Sequence, residues 1–398
     1  MASLRVLLVT VLLCLASVVS WAQDTAGRPV RFDAFPPFVI VNSWYPPTLF
    51  NGTGENAIVY ELFVTNAFAD PITITKVVAD GGRRNARFSF ESDALKGMMR
   101  NVGSRTAENT TGVIPPGASV IVFMWLPLSS GTLPTQLRHE IQATVVTAPD
   151  QPLVQNYGPL KVTKTRPTEI DVAPLAGPGW LAANGPSNTS VHRLTWLSIN
   201  GTPRISQRFA IDFVQARPID GKLKFYSGDM HELNNWFAYG ADVYSVADGV
   251  VVVKKDGIAD NPPGEGIVGE LNIDTLPGNN LVIAIGRGRY ACYAHLVPGS
   301  ARVQVGDFVR AGQVIGKLGN SGNSSGPHLH FHITNGPSFV GADGEPWRLS
   351  HLRAAKATLQ GDPSDLDGNY SLTQEGPMID WIDRMPVEDV LVEFPPRR

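Results

Sequence analysis

From about Val30 to Val162 the apolar positions come in short runs rich in Val, Ile, Thr and Phe, separated by turn residues. Residues 57–65, 72–78, 86–90, 120–126 and 141–147 each read as a strand, and the Pro115-Pro116-Gly117 turn precedes one of them. That spacing predicts an immunoglobulin-like β-sandwich over residues 28–165. Residues 166–186 are rich in Pro and Gly without periodicity and read as a linker. A second, mostly antiparallel β domain then spans 187–340. Its first element is a hairpin, with 191–199 and 205–213 turning at Asn200-Gly201, and it carries His192, Arg208 and Asp212. A polar excursion at 215–235 holds His231. Strands follow within 241–253, at 280–285 and at 290–295, and 303–315 reads as a tight pair bent at its glycines. Past Gly336 the pattern fades, so 341–398 is expected to be an extension that packs back through Trp381 and Phe394.

The sharpest local pattern runs from Gly319 to His332, a Gly/Ser/Asn loop that leads into three alternating histidines. On an extended strand His328, His330 and His332 share one face while Leu329 and Phe331 take the other. A row of imidazoles backed by core-facing side chains, entered through a glycine loop that lets backbone approach a ligand, is suited to a metal.

Composition narrows the partners. With 398 residues and 43% hydrophobic content the chain can bury more than one core, and a net charge of -3 without a Lys/Arg block argues against nucleic acid. Arg5, the apolar run 6–19, and the small residues Ser20 and Ala22 read as a signal peptide over 1–22. The expected location is therefore secreted or periplasmic, with no stable membrane insertion after signal removal. Cys14 would leave with the signal. Cys292 then stands alone in an apolar run, where it reads as a buried small hydrophobe.

Four stretches together resemble the successive motifs of the lysostaphin-type (LytM-type) zinc metallopeptidases. They are Gly240 to Val251, Tyr293 to Leu296 (Tyr-Ala-His-Leu), Val305 to Gly316, and Gly319 to Phe331, in order within about 205–335. The resemblance implies a β domain with a groove, a Zn2+ cofactor, and cleavage of peptide bonds in bacterial peptidoglycan. By the family pattern His330 binds metal, while His328 and His295 are catalytic and do not ligate. The family's other two ligands come from a His-x-x-x-Asp motif, matched here by Arg208 to Asp212. Asp212 is present, but Arg stands where His is expected, and a guanidinium does not ligate zinc. His192 on the partner strand of the hairpin could substitute if the register faces it toward Asp212; His231 is a second candidate, and neither a third possibility. The alternative to a zinc metalloendopeptidase is a degenerate, non-catalytic domain that binds murein or regulates another cell-wall hydrolase.

Overall fold

The computed structural model describes residues 38–396 apart from 83–85, 104–108, 110, 130–132, 164–166 and 362–369. The expected signal peptide lies outside the described residues. As the sequence pattern predicts, the architecture is almost entirely β, and its sheets are built chiefly from antiparallel pairs.

Two five-stranded sheets form the N-terminal sandwich. One is built on the pairing of Asn56–Asn66 with Ser119–Pro127; the other runs through Ala148–Lys161, Gln136–Val145, Ile72–Asp80 and Arg87–Glu91. Side chains alternate along Asn56–Asn66. Ile58, Tyr60, Leu62 and Val64 enter the core between the two sheets, whereas Ala57 and Val59 point the other way, into a core shared with Phe209, Ile211 and Trp347. Phe50 stacks on Phe209 across that boundary at 5.8 Å. This sheet is thus buried on both faces, which explains the unbroken apolar run from Val120 to Leu126: a strand covered on both sides has no polar face to alternate with.

The second body is a 14-stranded sheet. Around the site its order is Trp347–Gln360, Val390–Phe394, Gly177–Ala183, Ile211–Gln215, Leu329–Thr334, Tyr290–Leu296, Asn279–Ala284 and Gly249–Lys255. Several expectations need correction. Residues 166–186 are no free linker, because Gly177–Ala183 is an internal strand between Val390–Phe394 and Ile211–Gln215. Its prolines and glycines cluster at the strand's ends, and Trp180, Leu181 and Ala182 are buried. The 303–315 segment does not pair with itself. Phe308–Val309 pairs with Gly249–Lys255, and Val314–Lys317 pairs with Asp242–Tyr244, the chain being redirected at Gly312 with φ +82°. The extension contributes Trp347–Gln360, Ser371–Arg384 and Val390–Phe394 to the sheet itself. Its alternation was muted by the small residues Ala354, Ala355 and Ala357, and by a middle strand that is exposed over much of its length.

Candidate metal centre

Asp212 and His330 are brought together by strand register. Ile211–Gln215 pairs with Leu329–Thr334 so that Asp212 sits directly opposite His330, and Tyr290–Leu296 flanks the other edge with Ala294 opposite His330. His330 Nδ1 lies 2.9 Å from Asp212 Oδ1. The third group is His192, whose Nε2 is 3.2 Å from Asp212 Oδ2. Ligand atoms of His192, Asp212 and His330 all fall within 4.8 Å of one another, and all three residues are buried. Two imidazole nitrogens and one carboxylate oxygen, with room left for a water, are a three-ligand set that suits zinc.

His192 arrives by a different route from the one expected. Asn200-Gly201 does turn a hairpin, with both residues at positive φ, but the paired strands are only Leu197–Ile199 and Thr202–Arg204. His192 belongs instead to a one-turn helix, Val191–Leu194, so hairpin register has no part in aiming it. Asn184 does the aiming. Its carbonyl accepts a hydrogen bond from His192 Nδ1 at 2.9 Å, leaving Nε2 with a free lone pair, and its side-chain amide donates to Asp212 Oδ2 at 2.9 Å. Sequence reasoning missed Asn184; its one signal was the turn-forming Asn-Gly-Pro that ends the preceding strand, with φ +49° at the asparagine.

Arg208 points away from this cluster. Its guanidinium donates to Glu61 from Nε at 3.1 Å and from a terminal nitrogen at 2.9 Å, lies 3.5 Å from Asp343, and sits 3.7 Å over the ring of Tyr45. Glu61 also accepts from Arg193 at 2.7 Å. Burial alone would raise the Glu61 carboxyl, but the two guanidinium groups hold it below its ordinary range. The completely buried Arg193 is lowered to about 10 by desolvation, against the attraction of Glu61.

The two other histidines of the cleft are held by backbone carbonyls. His295 Nδ1 donates to Ser321 O at 2.7 Å and His328 Nδ1 to Gly326 O at 2.8 Å, so in each ring Nε2 is left for the cleft. The rings are 4.7 Å apart. His295 adopts φ +62°, a conformation uncommon for residues other than glycine and found where function fixes a side chain. Burial, then the neighbouring His328 and His330, push the His295 imidazole well below its usual value. Burial also opposes charge on His328, yet Asp212, 3.4 Å from its Nε2, wins and raises it. The Asp212 carboxyl itself would be raised by burial but is held well below the carboxylate range by His192 and His328. His330 is lowered to about 4, chiefly by burial. The directions at His295 and His330 favour neutral nitrogens beside an ionised Asp212, whereas the raised His328 favours its charged form.

His332 shares the face of His330, as alternation predicts, but its Nδ1 meets His330 Nε2 at 2.9 Å and its ring packs on Phe339. It lies outside the ligand cluster. His231 occupies a surface turn with Nδ1 3.2 Å from Glu265, and so is not brought to Asp212. Cys292 is fully buried, its thiol pushed up to about 12 by desolvation, which makes it a packing residue. The cleft has a volume of about 500 Å³. His192, Asp212, His295, His328 and His330 line it, together with the apolar Phe225, Trp236 and Leu359.

Residues 233–342 match the family model described as peptidase family M23. The match contains His295, His328 and His330; it begins after His192, Arg208 and Asp212. Among solved structures, the catalytic domain of the prophage-encoded M23 protein EnpA from Enterococcus faecalis is 19% identical, covering 44% of this chain and 94% of that one at a TM-score of 0.25. The catalytic domain of lysostaphin from Staphylococcus simulans is 24% identical, with coverages of 42% and 84% and a TM-score of 0.22. A zinc-containing peptidase from Vibrio cholerae is 14% identical, with coverages of 80% and 83% and a TM-score of 0.22. Superpositions at that level add no weight. The motif order and the family match agree on one conclusion: residues 233–342 form a domain that matches peptidase family M23.

Proposed function

We propose that the protein is a zinc-dependent metalloendopeptidase that cleaves peptide bonds in bacterial peptidoglycan, acting outside the cytoplasm. The observation that carries this reading is His192 beside Asp212 and His330, which supplies a third donor where Arg208 cannot. His192 through Nε2, Asp212 through a carboxylate oxygen and His330 through Nδ1 would hold the ion. Zinc, when bound, supplies Lewis-acid polarisation of a carbonyl oxygen and brings the pKa of a bound water to about 7.

The chain's own contribution is placement of protons and charge. His295 and His328 present Nε2 from rings whose Nδ1 protons are fixed by Ser321 and Gly326 carbonyls, so neither ring needs to turn before accepting or returning a proton. A cation at Asp212 would offset the attraction that raises His328, leaving both Nε2 lone pairs able to accept a proton; only a ring that has taken one up can then donate from Nε2 to developing negative charge. Apolar Phe225, Trp236 and Leu359 also line the cleft.

Metal analysis of the purified protein, followed by cleavage assays on isolated cell walls, tests the reading. Near-stoichiometric zinc, its loss in His330→Ala, and chelator-sensitive release of amino groups from the walls are the expected results. Bound zinc without wall cleavage would reject the peptidase assignment; an absence of zinc binding would favour a murein-binding or regulatory domain.

A further inference from the structure

We propose that Glu61, in the N-terminal sandwich, is a positioning residue for the metal site. The inference rests on the reading of His192, Asp212 and His330 as zinc ligands. Glu61 projects from the face of Asn56–Asn66 opposite the sandwich core, the face that Ala57 and Val59 press into the core shared with the peptidase body, and it is 1% exposed.

The helix it serves cannot hold itself. Val191–Leu194 is a single turn, too short to be stable through its own hydrogen bonds. Its fixings come largely from the sandwich. Arg193, next to His192, donates to Glu61 at 2.7 Å and to the carbonyls of Tyr60 and Met124 at 3.1 Å each. The Asn188 amide donates to Phe123 O at 3.0 Å, and Leu194 and Trp196 pack with Ile121, Phe123 and Phe63. On the cleft side the helix has one hydrogen bond from His192, to Asn184 O.

The same carboxylate accepts from Arg208, the residue that occupies the family's ligand position. One acidic side chain therefore anchors the segment that delivers the substitute ligand and also pairs the arginine that displaced the usual one. Were Glu61 neutral, the buried Arg193 would lose its carboxylate partner, Arg208 would keep only Asp343 at 3.5 Å, and the segment from Asn188 to Trp196 would lose its strongest tether. His192 would then leave its position beside Asp212 more readily. The consequence is that zinc affinity depends on how the sandwich is seated, although none of the three proposed ligands comes from it.

The test compares zinc affinity in full-length variants by competition with a chromophoric chelator, at a temperature where circular dichroism shows each to be folded. Glu61→Gln is expected to weaken zinc at least about tenfold, in the range seen when groups behind metal ligands are removed. Ile141→Ala, in the sandwich core and away from the boundary, is expected to lower the melting temperature without changing zinc affinity. If Glu61→Gln does not fold, Arg193→Lys carries the same expectation, because lysine keeps the charge but cannot reach Glu61 and both carbonyls together. Wild-type affinity in a folded Glu61→Gln or Arg193→Lys, or equal weakening in Ile141→Ala, overturns the proposal. Wild-type protein that binds no zinc, or that binds it unchanged after His330→Ala, overturns the metal reading itself and this inference with it.

Discussion

On the strand side of the cleft, His330 and Asp212 meet across adjacent strands, and His295 and His328 are fixed by the backbone of the loops beside them. On the opposite side, His192 reaches Asp212 from a one-turn helix held by Asn184 and by the sandwich. The first region is set by sheet register, which cannot shift without turning buried side chains to the wrong face. The second is set by a few hydrogen bonds and one buried ion triad. The family match covers the histidines of the first region and begins after His192, Arg208 and Asp212. On the proposed metal reading, the difference is that the ladder supplies a fixed reference, so that an imidazole brought within reach of Asp212 from outside the ladder can complete the set.

The comparison is broken most forcefully by removing the proton-handling groups. His328→Ala or His295→Ala should lower kcat on cell-wall fragments by roughly 10²–10⁴ while zinc stays bound, measured by assay and metal analysis together. Loss of zinc in either variant would mean that the strand side supplies a ligand assigned here to His192.

A smaller effect is expected on the rebuilt side. His192→Ala should weaken zinc on the order of 100-fold, and adding Arg208→His should not restore it, since position 208 is held at Glu61 and Tyr45 rather than at Asp212. Recovery of zinc in the double variant, read by competition titration, would show that the two corners are interchangeable. Asn184→Gly, which keeps the positive φ but removes the amide, should cost about 10–100-fold in zinc affinity. Wild-type affinity in that variant would show that Asp212 needs no partner on this side.

The smallest effect is a pH dependence. Because the folded Glu61 carboxyl lies below its unfolded value, it contributes stability that is present above about pH 4.3 and is lost as pH falls through the folded pKa. Thermal melts of the wild type should therefore steepen with acid below that pH more than those of Glu61→Gln. Parallel slopes would remove Glu61 from the account.

How much of this could be read in the sequence follows the same division. The strands and the three alternating histidines are local patterns, and local patterns survive as text: Leu329 and Phe331 are buried behind His330 as period-2 alternation requires. Asp212 was legible through its spacing from Arg208. The position of His192 was not, because the expected hairpin register does not exist and the operative contacts join residues 8 and 132 positions apart, Asn184 to His192 and Glu61 to Arg193. The strand Gly177–Ala183 was hidden by the prolines and glycines at its ends, which carry the same letters as a flexible connector. Covering both faces of the Asn56–Asn66 sheet left a continuous apolar run that gives no hint of which side meets the peptidase body.

The strand Val390–Phe394 sits inside the sheet, between Trp347–Gln360 and Gly177–Ala183, and the latter is the immediate neighbour of the strand bearing Asp212. Contacts of such long sequence separation form slowly, since the loop must close before the pairing stabilises it. During synthesis, a nascent chain that has exposed its histidines but not yet residues 390–394 lacks one edge of the support beneath the cleft. On the proposed metal reading, zinc binding then comes late: a chain truncated before Val390 should fail to retain zinc although every proposed ligand is present, and stoichiometric metal in that fragment would refute it.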